Sequence, residues 1–536
     1  MKREGGDSMV ALDQHRSVLI ENSGIRYAGT IIAVGALYSI LFDLYTYIFN
    51  PPSNITLTAL VVALDFIIAA LFFFFVSLHK YLYSILVPAI FLVNASASYF
   101  VRTLKITISQ NIMGIVLESN IEEAASLLGA SFWCWMTVHL MISIAIASII
   151  DKNRIQVNTG TILGLSSVAL IIALLLFSGF PNKSIPRQLV KRNLQASLMS
   201  SLHGYARSQY IHSIERIDIS DSGCTHNGQD LALILILGES ARSDHFHING
   251  YTRQTTPLME KENVVSFTAA YSSFSFTRKS VPCILTRATA GNYDLSLRET
   301  SFISAFRRVG FQTAWISNQR EHHTKHDTTV SVFTREAGTT VFHNPMRADQ
   351  GDAARFDEEL LPYFSNFLGK GDRRLFVILH TIGSHWLYNA HYPPSFARFT
   401  PVATNKNPTK TDRQALVNSY DNTILYTDYF ISSVIEEVRK LNSLVIYVSD
   451  HGEFLGENGR YLHVPNARFT PELFHIPLII WASPEYRKRN PEKYQALINN
   501  KNRRVTHDNI FHSVLDGADI DTPLCDKRLS VFRPPD

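Results

Sequence analysis

Five long apolar runs crowd the first 180 residues, at about 26–48, 57–78, 82–101, 132–150 and 157–180. Each is near the ~20 residues that cross bilayer hydrocarbon as a helix. A backbone in lipid must satisfy its amides internally, so such runs become membrane helices. The first run begins too far into the chain, and is too long, for a cleaved signal peptide. Lys80 and the Lys152/Arg154 pair fall in the second–third and fourth–fifth connections, whereas the first, "NPPSNIT", carries no charge. The excess of positive charge on cytoplasmic loops then places the N-terminus in the cytoplasm. Five crossings deliver residues 181–536 to the other side of the membrane.

The net charge of +4 is small for 536 residues, and no Lys/Arg block forms a nucleic-acid stripe. Lys183, Arg187, Lys191 and Arg192 cluster just after the last run and read as a solvated helix face or a contact to anionic head groups. Most of the chain lies outside the bilayer, which argues against a pure transporter. Cys134 sits in the fourth run; Cys224, Cys283 and Cys525 lie outside, enough for one intramolecular disulfide at most.

Three parts follow: a transmembrane domain over 1–180, a partly helical bridge over 181–230, and an extracytoplasmic domain over 231–536. In the last, short continuous apolar runs ("LALILIL", "FQTAWI", "RLFVIL", "SLVIYV", "IPLIIWA") alternate with helical patterns at 355–368 and 412–440. Continuous rather than alternating apolar strands indicate a mostly parallel α/β sheet buried on both faces. Ligands in such sheets collect beyond the carboxyl ends of the strands. There "LALILIL" runs into Glu239, "RLFVIL" into His380 with His385 close behind, and "SLVIYV" into Asp450 and His451, with His463 a short loop later. Glu, Asp and His are zinc-ligand types, so these three strand ends together read as a metal site. A hydroxyl beside a dication becomes a usable nucleophile. "YSSFSFTRKSVPCIL" offers five: Ser272, Ser273, Ser275, Thr277 and Ser280. Chemistry alone does not choose among them.

Five ordered segments, "LGESARSDHFHINGYTRQTTP", "SVPC", "LHTIGSH", "YDNTILYTDYF" and "SDHGEFLGENGRYLHVPNA", together resemble the phosphoethanolamine transferases of Gram-negative bacteria. These are the lipid A-modifying enzymes, including the mobile colistin-resistance group, within the alkaline phosphatase/sulfatase superfamily. The resemblance covers about 231–515, and the five-run N-terminal part is similar too. It implies a five-crossing helical membrane domain joined to an α/β domain of alkaline phosphatase/sulfatase type in the periplasm, anchored in the inner membrane. It implies Thr277 as nucleophile, and zinc held by Glu239, Thr277, Asp450 and His451. His385 and His463 match family histidines at the substrate phosphate or a second zinc, and His463 suits the acid for the departing alcohol. His380 also matches a family position at the substrate. The donor implied is phosphatidylethanolamine, and the acceptor is lipid A or core sugar of lipopolysaccharide.

In the membrane half, "MGIVLESNIEEAASLL" resembles a segment lining the family's lipid cavity, with Ser119 and Glu123 on its binding positions and Ile115 in place of an Asn. Unaided, the segment reads as an amphipathic interfacial helix. Ser273 stands where the family often has a cysteine paired to the position of Cys283. "SNQREHHTKH" departs from the family's substrate-contacting stretch, so His322, His323 and His326 read as loop residues, and His245 and His247 as surface or packing residues. Two other readings compete: a phosphoglycerol transferase of the lipoteichoic-acid type, and a non-catalytic membrane scaffold.

Overall fold

The computed structural model describes residues 25–43, 55–78, 81–104, 108–118, 128–153, 193–212, 216–320, 329–344, 356–465 and 467–534. The chain divides into two compact units, Met1–Tyr205 and Ala206–Asp536.

In the first unit, three described helices are long and apolar enough to span a bilayer: Ile25–Asp43, Leu82–Thr103 and Ala130–Asn153. A fourth, Ile55–Ser77, runs through the second apolar stretch. The fifth run lies outside the described residues, as do Ser119 and Glu123. Gly35 lets the first two of these helices meet closely, since a Cβ there would lie 2.9 Å from the Ala70 backbone. Several buried polar groups among these helices find partners, as an apolar surrounding favours. Asp43 accepts the Leu194 N–H at 2.7 Å, and Asp65 accepts from Asn193 Nδ2 at 2.6 Å, fixing the start of helix Leu194–His212. Trp135 Nε1 donates to the Ala95 carbonyl at 3.0 Å.

The second unit is built on a seven-stranded sheet. We number its strands β1 (Leu231–Gly238), β2 (Val265–Phe267), β3 (Gln312–Arg320), β4 (Thr339–Asn344), β5 (Arg374–His380), β6 (Ser443–Ser449) and β7 (Leu478–Ala482). Their order is β2-β7-β6-β1-β5-β3-β4. Strands β6, β1, β5, β3 and β4 are mutually parallel, and β7 runs antiparallel to both β6 and β2. Strand β1 shows why the run "LALILIL" is continuous. Leu231, Leu233, Leu235 and Leu237 enter one apolar core and Ala232, Ile234 and Ile236 the other, all buried. Full burial of each large aliphatic side chain contributes about 1.5–3 kcal/mol before entropy is subtracted.

The pairing register aligns the strand ends. Gly238 lies opposite Ser449 and Leu237 opposite His380, so Glu239 and Asp450 leave the sheet at one edge. Gly238 is required there, because a Cβ would lie 2.5 Å from the Tyr447 hydroxyl. The helical pattern at 412–440 forms helix α1 (Arg413–Val438), N-capped by Asp412 through the Ala415 N–H. Strands β2 and β4 went unrecognised in the sequence, β2 being only three residues long and β4 a polar edge strand, and β3 continues four residues past "FQTAWI", to Arg320.

Candidate metal centre and nucleophile

Beyond the aligned strand ends, Glu239, Asp450 and His451 each bring a ligand atom within 4.8 Å of the others, all buried. The turn after β1 is held open for this. Ser240 adopts a positive φ of 56°, a region that costs an L-residue free energy unless its surroundings impose it. Its N–H donates to Asp450 Oδ1 at 3.0 Å, and its carbonyl accepts from the Tyr420 hydroxyl at 2.7 Å. The Asp450 N–H returns to the Gly238 carbonyl at 3.0 Å.

The tautomer of His451 follows from its partners. Nδ1–H donates to the Gly452 carbonyl at 2.8 Å, which leaves the Nε2 lone pair facing Glu239 Oε1 at 3.5 Å and Asp450 Oδ2 at 3.3 Å. Burial, followed by the Asp450 charge, pushes the Glu239 carboxyl well above its usual range. Burial opposes ionisation of Asp450 too, but His451, the Ser240 N–H and Thr277 outweigh it and hold that group below the usual carboxylate range. Burial pushes the His451 imidazole down to about 4. Asp450 Oδ2 is buried and accepts no hydrogen bond among the described residues. Two carboxylates and a neutral imidazole in a dry pocket, one oxygen without a donor, fit a divalent cation of zinc type.

Of the five hydroxyls, Thr277 faces this cluster: its Oγ1 lies 3.2 Å from Glu239 Oε2 and 3.2 Å from His451 Nε2. The serine hydroxyls serve the loop. Ser272 donates to the Asp450 carbonyl, Ser273 to Asp508 Oδ1, Ser275 to the Val464 carbonyl and Ser280 to the Phe274 carbonyl. Thr277 opens helix α2, which we place between β2 and β3 (Thr277–Leu285), so its oxygen sits at the positive end of the helix dipole. Pro282 has no N–H to give the Arg278 carbonyl one turn back; the Tyr293 hydroxyl supplies that hydrogen bond at 3.2 Å.

His463 lies beside His451, ring centres 4.3 Å apart and planes tilted by 49°, with its Nδ1 3.6 Å from Glu453 Oε1. Glu453 is itself held by the Tyr388 hydroxyl at 2.9 Å. His385 places Nδ1 2.6 Å from the Trp386 carbonyl, and its field is felt at His451. His380 is buried against Trp315, with Nδ1 3.3 Å from Ser317 Oγ, and burial pushes its pKa down to about 4. His322, His323 and His326 lie outside the described residues. His245 is a packing residue: its Nδ1 meets Asp421 Oδ1 at 2.6 Å, and Asp421 also accepts from Tyr251 and Arg253.

That last contact explains "YDNTILYTDYF", whose role the sequence did not reveal. Tyr420 holds the Ser240 turn, Asp421 collects the three donors, and Asn422 pairs with the Phe399 backbone in both directions. Three consecutive buried polar positions on a helix are the signal. Asp357 was likewise missed. Its buried carboxylate accepts the Ile382 and Gly383 N–H groups at 2.9 and 3.0 Å, fixing the loop that carries His385. Gly383 and Ser384 then rest on the Glu239 backbone.

The family model for sulfatases matches residues 232–520, and the model described as phosphoethanolamine transferase EptA/EptB matches 66–209. The phosphoethanolamine transferase EptA of Escherichia coli K12 is 28% identical over 469 residues, covering 80% of this chain and 82% of that one. The integral membrane lipooligosaccharide phosphoethanolamine transferase A of Neisseria meningitidis superposes with a TM-score of 0.72 at 25% identity, covering 95% of this chain and 99% of that one. The periplasmic domain of EptC from Escherichia coli, solved in complex with Zn, has the same fold as the second unit (TM-score 0.54, 24% identity, 60% and 91% covered).

Proposed function

The chain belongs to the sulfatase family, in its phosphoethanolamine transferase branch, and we propose that it moves phosphoethanolamine from phosphatidylethanolamine to lipid A or core sugar of lipopolysaccharide. The observation that carries this reading is the Thr277 hydroxyl standing 3.2 Å from both Glu239 and His451 at the mouth of the sheet. Glu239, Asp450 and His451, with Thr277, would hold a zinc ion, which when bound lowers the pKa of the Thr277 hydroxyl and neutralises charge on the phosphoryl oxygens.

The remaining chemistry belongs to the side chains. Thr277 Oγ1, as the alkoxide, attacks phosphorus and diacylglycerol leaves, taking a proton from His463. Phosphoethanolamine stays on Thr277. An acceptor oxygen then attacks the same phosphorus, His463 takes its proton, and Thr277 is released. Glu453 Oε1 lies 3.6 Å from His463 Nδ1, the carboxylate nearest to that imidazole among the described residues. His385 and His380 are read as substrate contacts, and Ser119 and Glu123 as contacts to the donor lipid. Five membrane crossings, an odd number, put the second unit in the periplasm of a Gram-negative inner membrane. Three described spans, a fourth apolar helix and the run at 157–180 support that count. Tethering keeps both lipids at high effective concentration. Each ethanolamine added brings a cation, which weakens binding of cationic peptides such as polymyxins.

Mass spectrometry of lipopolysaccharide, split into lipid A and core, tests this in cells with and without the gene. The expected result is a phosphoethanolamine increment that depends on the gene. Its absence from both fractions, or a phosphoglycerol increment in its place, would refute the proposal.

A further inference from the structure

Two segments must meet for Thr277 to face its partners: the loop 271–277 and the end of β6 at 449–451. A third segment, distant in sequence, joins them. Val505 and Thr506 pair in parallel with Ala270 and Tyr271, and the turn beyond is closed by a reciprocal cap between Thr506 and Asn509. That turn inserts His507, with no exposed surface, between the two segments. The Ser273 N–H points at His507 Nδ1 at 3.3 Å, and His507 Nε2 lies 3.0 Å from the Ser449 carbonyl. A backbone N–H can only donate, so Nδ1 accepts and the ring proton resides on Nε2, where Ser449 receives it. Protonation of both nitrogens would set Nδ1–H against the Ser273 N–H; burial keeps the ring neutral, with its pKa pushed down to about 4. The neighbouring Asp508 carboxylate takes the Ser273 hydroxyl at 2.9 Å, a second tie from the same turn.

We propose that His507 is a positioning residue that locks the Thr277 loop to the Asp450–His451 strand end, bridging Ser273 and Ser449 through its imidazole. The role in transfer rests on the reading of Thr277 as nucleophile; the mechanical role does not. His507 touches neither substrate nor the reacting atoms. It sets the distance between them, and a misplacement of about 1 Å at a reacting pair costs roughly a hundredfold in rate.

The test uses the full-length protein in detergent with three substitutions. His507→Phe keeps an aromatic ring, somewhat larger than the imidazole, and removes both hydrogen bonds. In His507→Asn the side-chain oxygen stands near the old Nδ1 and can accept from Ser273. His507→Gln reaches the old Nε2 position and can donate to Ser449. Three quantities are read: amide hydrogen exchange in peptides covering 271–277, zinc per chain, and the rate at which phosphatidylethanolamine modifies Thr277 without acceptor. His507→Phe should raise exchange in 271–277 by about tenfold or more. It should also slow modification by roughly ten- to a hundredfold per zinc-loaded chain. Protection of 271–277 should return in His507→Asn before His507→Gln, a rank that survives if the Phe variant fails to fold. Wild-type exchange and modification in His507→Phe would overturn the proposal. So would equal losses of zinc and stability in all three variants with an unchanged rate per loaded chain. If wild type never modifies Thr277, the covalent reading falls, and the exchange measurement still decides the bridge.

Discussion

Thr277 Oγ1 and Glu239 Oε2 lie 3.2 Å apart, although one begins a helix and the other directly follows the central strand of the sheet. The threonine is thus held by a carboxylate whose own position is set by the β1–β6 register.

Thr277→Ala should lower transfer by on the order of 10³-fold or more, as loss of a nucleophile does. The fold should survive with little loss, because one methyl and one hydroxyl at a helix start contribute little packing. Thr277→Ser should retain measurable transfer. Peptide mass spectrometry after incubation with donor alone should place phosphoethanolamine on Thr277; finding it on Ser275 or Ser280 would sink the assignment.

Removing two ligands together should empty the metal site. Asp450→Ala/His451→Ala protein, assayed by elemental analysis, is expected to hold almost no zinc where wild type holds about one equivalent. Equal zinc in both proteins would eliminate this cluster as the site.

Gly452→Ala tests the turn that orients His451. A Cβ at Gly452 would fall 2.2 Å from the Glu472 carbonyl oxygen, so the turn must move, and the carbonyl that receives His451 Nδ1–H moves with it. Zinc affinity should drop about ten- to a hundredfold, the usual cost of disturbing a ligand's supporting hydrogen bond. A chelator competition titration measures it, and an unchanged affinity would show the turn to be tolerant.

Acid should destabilise the second unit through His512, remote from the metal ligands in sequence. Burial pushes its pKa down to about 4, and its Nδ1 accepts the Asp526 N–H at 3.0 Å. The unfolded imidazole titrates near 6.5. The folded value is the lower one, so this contribution is present above about 6.5 and is lost as pH falls toward 4. Between pH 7 and 5 the loss is on the order of 2 kcal/mol. His512→Asn keeps an acceptor for Asp526 and cannot titrate, so its thermal midpoint should fall less over that range. An equal fall would exclude His512 as a source of acid sensitivity.

Reductant should have no effect on stability. Cys134, Cys224, Cys283 and Cys525 are all free thiols, and Ser273, where a stapled relative has cysteine, gives its hydroxyl to Asp508 instead. Dithiothreitol is expected to leave the thermal midpoint within about 1 °C, well inside the shift that 1 kcal/mol produces. A clear downward shift would reveal a disulfide.

The ligand positions were legible because β1, β5 and β6 are buried on both faces. A polar residue at the end of such a strand stands out, as His380 does at the last position of β5 and Glu239 and Asp450 do directly after β1 and β6. The choice of Thr277 was not legible from residue chemistry. Its four hydroxyl neighbours differ from it only in where they point, and that depends on Val464, Asp508 and the Asp450 carbonyl. His507, Asp357 and Tyr420 were invisible for the same reason, since each acts on a backbone group far away in sequence.

Ser240 and Asp450, joined by a hydrogen bond, are 210 positions apart. A chain emerging from its N-terminus therefore presents Glu239 long before the strand that completes the cluster. Until β6 arrives, the hydrophobic β1 has no neighbour on that side and its terminal carboxylate has no imidazole beside it. Contacts of such long range make folding slow, so Glu239 gains its Asp450 and His451 neighbours late in folding. A chain halted before residue 450 leaves β1 exposed on that side, with Glu239 lacking both of its partners in the cluster.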